Sequence, residues 1–116
     1  MGLRMMRKLI KTFLLLIVSM LIGYTANSLA QEGNKEAGKE KSALCVPCHG
    51  QNGWSSQDNI PHLAGQTQDY LFNQLQNFRS GYRRNIAMKQ IAKILSEQDM
   101  LDLAAYFSSI KTRFQD

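Results

Sequence analysis

The segment CVPCHG, residues 45–50, contains both cysteines of the chain and one of its two histidines. Two thiols three positions apart can form a disulfide, ligate a metal ion, act as a redox pair or bond to the vinyl groups of a haem. A structural zinc ion needs two more ligands, and His49 and His62 do not have the spacing of a zinc finger. A thioredoxin-like redox pair needs a βαβ setting, and the sequence shows no strand pattern.

Haem attachment, by contrast, uses every reactive residue of this segment. Cys45 and Cys48 would add to the two vinyl groups as thioethers, and His49 would bind the iron on its proximal side. Haem attachment is therefore favoured over a disulfide or a zinc site. Because the sequence contains one CxxCH motif, it predicts one covalently bound haem c.

The ligand on the other side of the iron decides whether the protein carries electrons or binds a further ligand. Three side chains are candidates: His62, Met88 and Met100. Met100 falls on the apolar stripe of a predicted helix, so a core position is favoured for it. Met88 lies at the end of a predicted loop, where its thioether can turn toward the iron, and His62 follows Pro61 in another loop. The residues alone leave both Met88 and His62 open as ligands.

The first thirty residues predict a cleaved export signal of the Sec type. They combine a basic start, an apolar run over residues 13–24, and small residues at Ser28 and Ala30, the positions that a signal peptidase reads. A membrane-spanning helix needs roughly 20 apolar residues, and Lys11 limits this run on its N-terminal side. The pattern predicts a protein exported to the periplasm of a Gram-negative bacterium. A free CxxC pair would tend to oxidise there, whereas haem c is attached on that side of the membrane.

Charge and size limit what the mature chain, residues 31–116, can do. The whole chain has a formal charge of +5, but four of its 14 basic residues lie in the predicted signal, which leaves ten against nine acidic residues. Nucleic acid is therefore not an expected partner. A chain of this length has a marginal apolar core on its own, so we expect a cofactor to complete it.

Helical periodicity predicts that this domain is all-α. Three main helices are predicted: one that reaches the cysteines through Ala37 and Leu44, one from Thr67 or Gln68 to Gly81, and one that begins with a capping box at Ser96. Residues 50–66 and 82–88 are predicted loops, and a short helical stretch follows Met88.

Three longer segments resemble class I cytochromes c, in particular the small cytochrome c-five-five-three proteins and the halves of dihaem cytochromes c-four: AGKEKSALCVPCHGQNG, IPHLAGQTQDYLFNQLQNFRSGYR and AMKQIAKILSEQDMLDLAAYF. The resemblance implies a cytochrome c fold, in which the first and last helices of residues 31–116 pack across each other and the helices and loops enclose one haem. It also implies that Met88 is the sixth iron ligand and that the carbonyl of Pro61 orients the proximal imidazole.

An iron with two protein ligands has no vacant position for a substrate, so the predicted function is one-electron transfer without a catalytic residue. Redox proteins that dock transiently are the expected partners, and the membrane is reached only through a membrane-bound partner or an uncleaved signal. The alternatives are a haem subunit of a larger oxidoreductase, or a ligand-binding haem sensor if Met88 does not ligate the iron.

Apolar side chains at helical spacing are predicted to form the wall of the haem pocket: Tyr70, Leu71, Leu75, Phe107 and also Tyr106. The resemblance adds Pro61 to them. Three arginines lie in or near the predicted loop over residues 82–88: Arg79, Arg83 and Arg84. They are predicted to contact a haem propionate or an acidic partner, or to be solvated. The sequence assigns no role to Trp54.

Overall fold

The computed structural model describes residues 2–25 and 32–112, which fall into two units that divide between Ala30 and Gln31. The first unit contains one helix, α1 (Leu3–Thr25). No helix within the described residues is long and apolar enough to cross a membrane. The predicted cleavage position after Ala30 lies outside the described residues. The export signal of residues 1–30 and the domain boundaries therefore stay predictions.

The second unit is helical and contains no strand within residues 32–112, which confirms the predicted all-α class. Its helices are α2 (Lys35–Lys41), α3 (Val46–His49), α4 (Gln68–Ser80), α5 (Ile86–Ile94) and α6 (Glu97–Ser108), with 3₁₀ turns at Ser42–Leu44 and Gln51–Gly53. The helix predicted to reach the cysteines is shorter than expected, because a 3₁₀ turn replaces its last turn.

Local capping features define both ends of α4 and the start of α6. The hydroxyl of Thr67 accepts a hydrogen bond from the N–H of Tyr70 at the start of α4, and Gly81 ends that helix in the left-handed conformation with φ of 86°. At the start of α6, Ser96 and Asp99 form a reciprocal capping box. Both helices therefore begin where the sequence predicts.

Helix α2 packs closely across α6, and glycine allows this close approach. A Cβ atom on the buried Gly38 would overlap the carbonyl oxygen of Asp102 and would lie 2.8 Å from the Cβ of Tyr106. A Cβ on Gly33 would overlap the carbonyl oxygen of Leu101 in the same way. The predicted crossing of the first and last helices of the domain is confirmed.

A buried carboxylate ties the start of α2 to α6. Asp102 is 3% exposed and accepts hydrogen bonds from the N–H of Asn34 at 2.8 Å, the amide of Gln98 at 2.7 Å and the ammonium of Lys41 at 2.6 Å. Burial opposes its ionisation, but these hydrogen bonds outweigh burial and lower the pKa of Asp102. Lys41 also pairs with Asp99 at 2.7 Å, and its hydrogen bond is the main reason why the pKa of Asp99 falls to about 2.

We expect this cluster to make the stability of the domain fall in acid. A carboxylate whose pKa is lowered by folding stabilises the folded state above its unfolded pKa, and this contribution is lost as pH falls through the lowered value. For Asp99 the window extends from 3.8 down to about 2, and the pKa of Asp102 shifts in the same direction. Asp102→Asn should therefore lower the free energy of unfolding by about 2 kcal/mol at pH 7 and by progressively less below about pH 4.

The measurement is denaturant unfolding of the holoprotein at pH 7 and pH 3, followed by circular dichroism. Asp58→Asn, which changes an exposed loop carboxylate outside the cluster, is the control and should alter the free energy of unfolding by less than about 0.5 kcal/mol. Equal destabilisation by Asp102→Asn at both pH values would contradict this account.

Candidate functional site

A cavity opens among α3, α4, α5 and α6 of the second unit. Its volume is about 200 Å³, and its mouth opens to solvent. Both cysteines, His49 and Met88 line this cavity. The rest of the wall is almost entirely apolar and includes Leu63, Leu71, Leu75, Ile91, Leu95, Leu103, Ala104 and Phe107.

The short helix α3 brings the CxxCH segment to this cavity. It starts directly after Cys45, and Pro47 occupies its first turn, where a missing N–H leaves no helical hydrogen bond unmade. His49 closes the helix and is 7% exposed. The cysteine pair and the imidazole are therefore held on one rigid turn.

The imidazole of His49 is oriented by a hydrogen bond across the cavity wall. Its Nδ1 lies 2.8 Å from the carbonyl oxygen of Pro61. Because a carbonyl only accepts hydrogen bonds, Nδ1 is the protonated nitrogen and donates. The lone pair of Nε2 is then free to bind a metal, and the hydrogen bond at Nδ1 fixes both the tautomer and the ring orientation.

The two cysteines have the environment of attachment sites rather than of a redox pair. They are not joined to each other. Burial raises the pKa of Cys45 to about 11, with the neighbouring Cys48 as a smaller cause, whereas redox pairs depend on a lowered thiol pKa. No group of three or more His, Cys, Asp or Glu side chains in the described parts of the chain is arranged to hold a metal ion. A redox pair and a zinc site therefore fit this segment poorly.

Met88 lies in the first turn of a helix, so the predicted loop over residues 82–88 is wrong at its end. Helix α5 begins at Ile86 because the side chain of Asn85 accepts a hydrogen bond from the N–H of Met88 at 2.9 Å and caps the helix. Asparagine is among the preferred N-cap residues, so the sequence did contain this information. The helix, rather than a flexible loop, directs the half-buried Met88 side chain toward the cavity.

Asn85 acts as a positioning residue for Met88, and Asn85→Ala should loosen that methionine. Loss of an N-cap costs about 1 kcal/mol, which corresponds to roughly a fivefold change in an opening equilibrium. We therefore expect cyanide to bind the ferric holoprotein about fivefold faster in this variant, measured by stopped-flow absorbance. Thr67→Ala removes the equivalent cap of α4 and is the matched control, because it should lower stability similarly and leave the cyanide rate unchanged. Equal acceleration in both variants would show that only global stability matters.

The other two candidate iron ligands do not line the cavity. Met100 is fully buried in the apolar core, as expected for its place on the α6 stripe. His62 is exposed, its Nδ1 accepts a hydrogen bond from the N–H of Ser55 at 2.8 Å, and its ring lies edge-on to Trp54. Of the three candidates, Met88 alone faces the same cavity as His49.

The predicted wall residues divide into two groups. Leu71, Leu75, Phe107 and Pro61 line the cavity. Tyr70 does not, and this prediction is corrected: it precedes Leu71 by one position, which turns it about 100° around α4, and it is 46% exposed. The hydroxyl of Tyr106 bonds to the side chain of Asn52 at 3.0 Å, and Tyr106 is likewise not part of the wall. Sequence reasoning did not assign Leu44, Leu63, Ile91, Leu95, Leu103 and Ala104 to the wall, although Ile91, Leu103 and Ala104 follow the inner stripes of α5 and α6.

An apolar cavity lined by two thiols, an oriented imidazole and a thioether fits a covalently bound haem, so the fold and the site define a c-type haem protein. A comparison with protein families leads to the same class, since the family model described as cytochrome c matches residues 35–111. The chain belongs to the cytochrome c family, and its cofactor is covalently attached haem c.

Several relatives support this membership. Cytochrome c4 of Pseudomonas aeruginosa is 41% identical over 97 residues, which cover 83% of this chain and 48% of that protein. Cytochrome c-554(548) of Halomonas halodenitrificans is 40% identical over 80 residues, which cover 66% of this chain and 96% of that protein. The structure of reduced recombinant cytochrome c4 from Pseudomonas stutzeri matches with a TM-score of 0.65 and 43% identity over 68% of this chain and 46% of that chain.

The chain thus spans about half the length of the cytochrome c4 relatives and nearly the whole Halomonas protein. The predicted resemblance to class I cytochromes c and the predicted cytochrome c fold are both confirmed.

Proposed function

We propose that this protein is a periplasmic one-electron carrier in which Cys45 and Cys48 hold haem c and His49 and Met88 bind its iron. The observation that carries the proposal is that these four side chains line one apolar cavity. They come from separate elements, the α3 turn and the start of α5, so their convergence is a property of the fold rather than of one local motif.

The residues of the chain have distinct tasks in this proposal. When bound, haem c supplies an iron that changes between Fe(III) and Fe(II). The hydrogen bond of His49 to Pro61 orients the imidazole and increases the basicity of Nε2. The thioether of Met88 would favour the reduced iron and raise its reduction potential, and the apolar wall would add to this effect by excluding water. With haem c bound, His49 and Met88 would both hold its iron, and the proposal assigns no residue of the chain to catalysis.

The periplasmic location is supported by the first thirty residues, whose basic, apolar and small-residue regions follow the order of an export signal. Export also matches the chemistry of the CxxCH segment, because haem c is attached outside the cytoplasm. Redox proteins are the proposed partners, since a carrier must be reduced by one protein and oxidised by another.

A potentiometric titration of the holoprotein tests the carrier function. We expect one reversible one-electron step and no turnover of hydrogen peroxide. Sustained peroxide turnover, or a haem that cannot be reoxidised, would contradict the proposal.

Cell fractionation with haem staining and mass spectrometry tests the location. We expect a periplasmic haem protein that begins after Ala30. A membrane fraction that retains residues 1–30 would contradict the predicted cleavage.

A further inference from the structure

Basic and acidic residues of the domain occupy different parts of the sequence, and the basic residues concentrate around α5. Residues 70–96 contain five basic residues and no acidic one, so all nine acidic residues lie elsewhere. The ion pairs within the described residues involve only Lys35 and Lys41 among the cations. A balanced total charge thus conceals an uncompensated positive region, which consists of Arg79, Arg83, Arg84, Lys89 and Lys93.

This positive region borders the mouth of the cavity. Asn85 and Ala87 are exposed and also line the cavity, and the exposed Arg84 and Ile86 are their immediate neighbours in the chain. Met88, the proposed iron ligand, follows directly. The surface beside the proposed ligand is therefore both cationic and apolar.

Large apolar side chains are exposed within this cationic stretch. Tyr82 is 87% exposed, Ile86 is 86% exposed and Ile94 is 70% exposed. Ile86, Lys89 and Lys93 follow each other at spacings of three and four, so they form one stripe along α5. Apolar contacts within a charged rim are the usual composition of a protein docking site.

One cation of this region is held in place before any partner binds. The guanidinium of Arg83 donates a hydrogen bond to the side chain of Gln74 at 2.7 Å and lies 4.7 Å from the centre of the Phe78 ring. Neither contact neutralises the charge. Both reduce the conformational freedom that binding would otherwise remove, which favours association.

We infer that Arg83, Arg84, Ile86, Lys93 and Ile94, here called the α5 surface, form the docking site for an acidic redox protein beside the Met88 side of the haem cavity. The inference rests on the proposed carrier function and adds the chemistry of the partner. Clustered cations steer an acidic protein toward the cavity mouth, and the isoleucines provide a contact that desolvates on docking. A second copy of this chain is disfavoured in the same position, because two α5 surfaces repel each other.

The test compares two charge reversals of equal size in the holoprotein. Arg83→Glu, Arg84→Glu and Lys93→Glu are combined in the α5 variant. Lys35→Glu, Lys39→Glu and Lys111→Glu, all exposed and away from α4 and α5, are combined in the control.

The measured quantity is the second-order rate constant for electron transfer from the ferrous holoprotein to a small blue-copper protein of strongly negative net charge. At low ionic strength we expect the rate constant of the α5 variant to fall by at least about tenfold. The rate constant of the control should fall by at most about threefold. At about 0.5 M salt the difference should largely vanish.

A second variant tests the apolar part of the α5 surface. Ile86→Ser keeps every charge and should slow the reaction by about threefold at all salt concentrations, because its contribution is not electrostatic. An unchanged rate would remove the isoleucine from the docking site.

Three outcomes separate the possible errors. Equal slowing in the α5 variant and the control would overturn the inference, since only net charge would then matter. If the wild-type holoprotein reduces neither the copper protein nor benzoquinone, a small uncharged oxidant, the proposed carrier function itself is wrong. Sedimentation with phosphatidylglycerol vesicles tests whether the α5 surface binds lipid instead of a protein. If the α5 variant no longer binds vesicles but reacts with the copper protein at the wild-type rate, the surface is a lipid-binding site and the docking inference is overturned.

Discussion

Replacing Met88 with alanine is expected to convert the haem from a low-spin form to a high-spin form that binds carbon monoxide when reduced. The thioether is the only candidate for the sixth ligand that shares the cavity with His49 in the described chain, so its removal leaves the iron open to water or an added ligand. The weak red absorption band from sulfur-to-iron(III) charge transfer should disappear. The reduction potential should fall by an amount on the order of 0.2 V, because the thioether favours the reduced iron.

Met100→Leu is the matched control for this experiment. It also removes a buried methionine, but one that lies in the core and does not line the cavity. A volume-conserving core substitution costs less than about 1.5 kcal/mol, so the spectrum and the potential should stay as in the wild type. A Met88→Ala protein that remains low-spin and insensitive to carbon monoxide would show that another residue ligates the iron.

Gly38→Ala is expected to lower the free energy of unfolding of the holoprotein by about 3 kcal/mol or more, and Gly38→Val should prevent a stable fold. A Cβ atom at this position would overlap the backbone carbonyl of Asp102 and approach the Cβ of Tyr106 within 2.8 Å, so α2 and α6 must move apart. That movement would also disturb the hydrogen bonds of the buried Asp102 carboxylate. The gain in helix propensity from glycine to alanine, about 1 kcal/mol, is too small to compensate.

Lys39→Ala in the same helix provides the comparison, because Lys39 is exposed and its replacement should change the free energy of unfolding by less than about 0.5 kcal/mol. Denaturant titration followed by circular dichroism measures all of these variants. A Gly38→Ala protein as stable as the wild type would mean that α2 and α6 do not pack as closely as described.

The chemistry of the site was predictable where it depends on local sequence. Cys45, Cys48 and His49 belong to one hexapeptide, and the residue types of that segment fit few reactions besides haem attachment. Both ends of α4 and the start of α6 were predictable for the same reason, since Thr67, Gly81 and the Ser96 capping box are local features.

The sequence was less informative where the structure depends on contacts between distant residues. Asp102 lies on a helix with a strong apolar stripe, and nothing nearby in the sequence shows that Asn34 and Lys41, more than 60 positions away, satisfy it. Tyr70 and Leu71 are adjacent apolar residues on α4, and their orientation depends on where α5 and α6 pack. Pro61 could be linked to His49 only through the family resemblance, because the 2.8 Å contact joins the last residue of α3 to a separate loop.

The start of α5 was missed for a different reason. Asn85 is a favourable N-cap, but it follows two arginines and a tyrosine that resemble loop, and the apolar residues after it form only a short periodic segment. The consequence is functional, because a helical Met88 has a fixed direction whereas a methionine in a loop would not.

The optical spectrum of the wild-type holoprotein, oxidised and reduced, with and without carbon monoxide, tests most directly whether His49 and Met88 together bind the iron. Ligation by both residues predicts a low-spin c-type spectrum, a weak red sulfur-to-iron band in the oxidised state and no response to carbon monoxide. A high-spin spectrum that shifts when carbon monoxide is added would show an open iron and would contradict the assignment of Met88 and, with it, the carrier function.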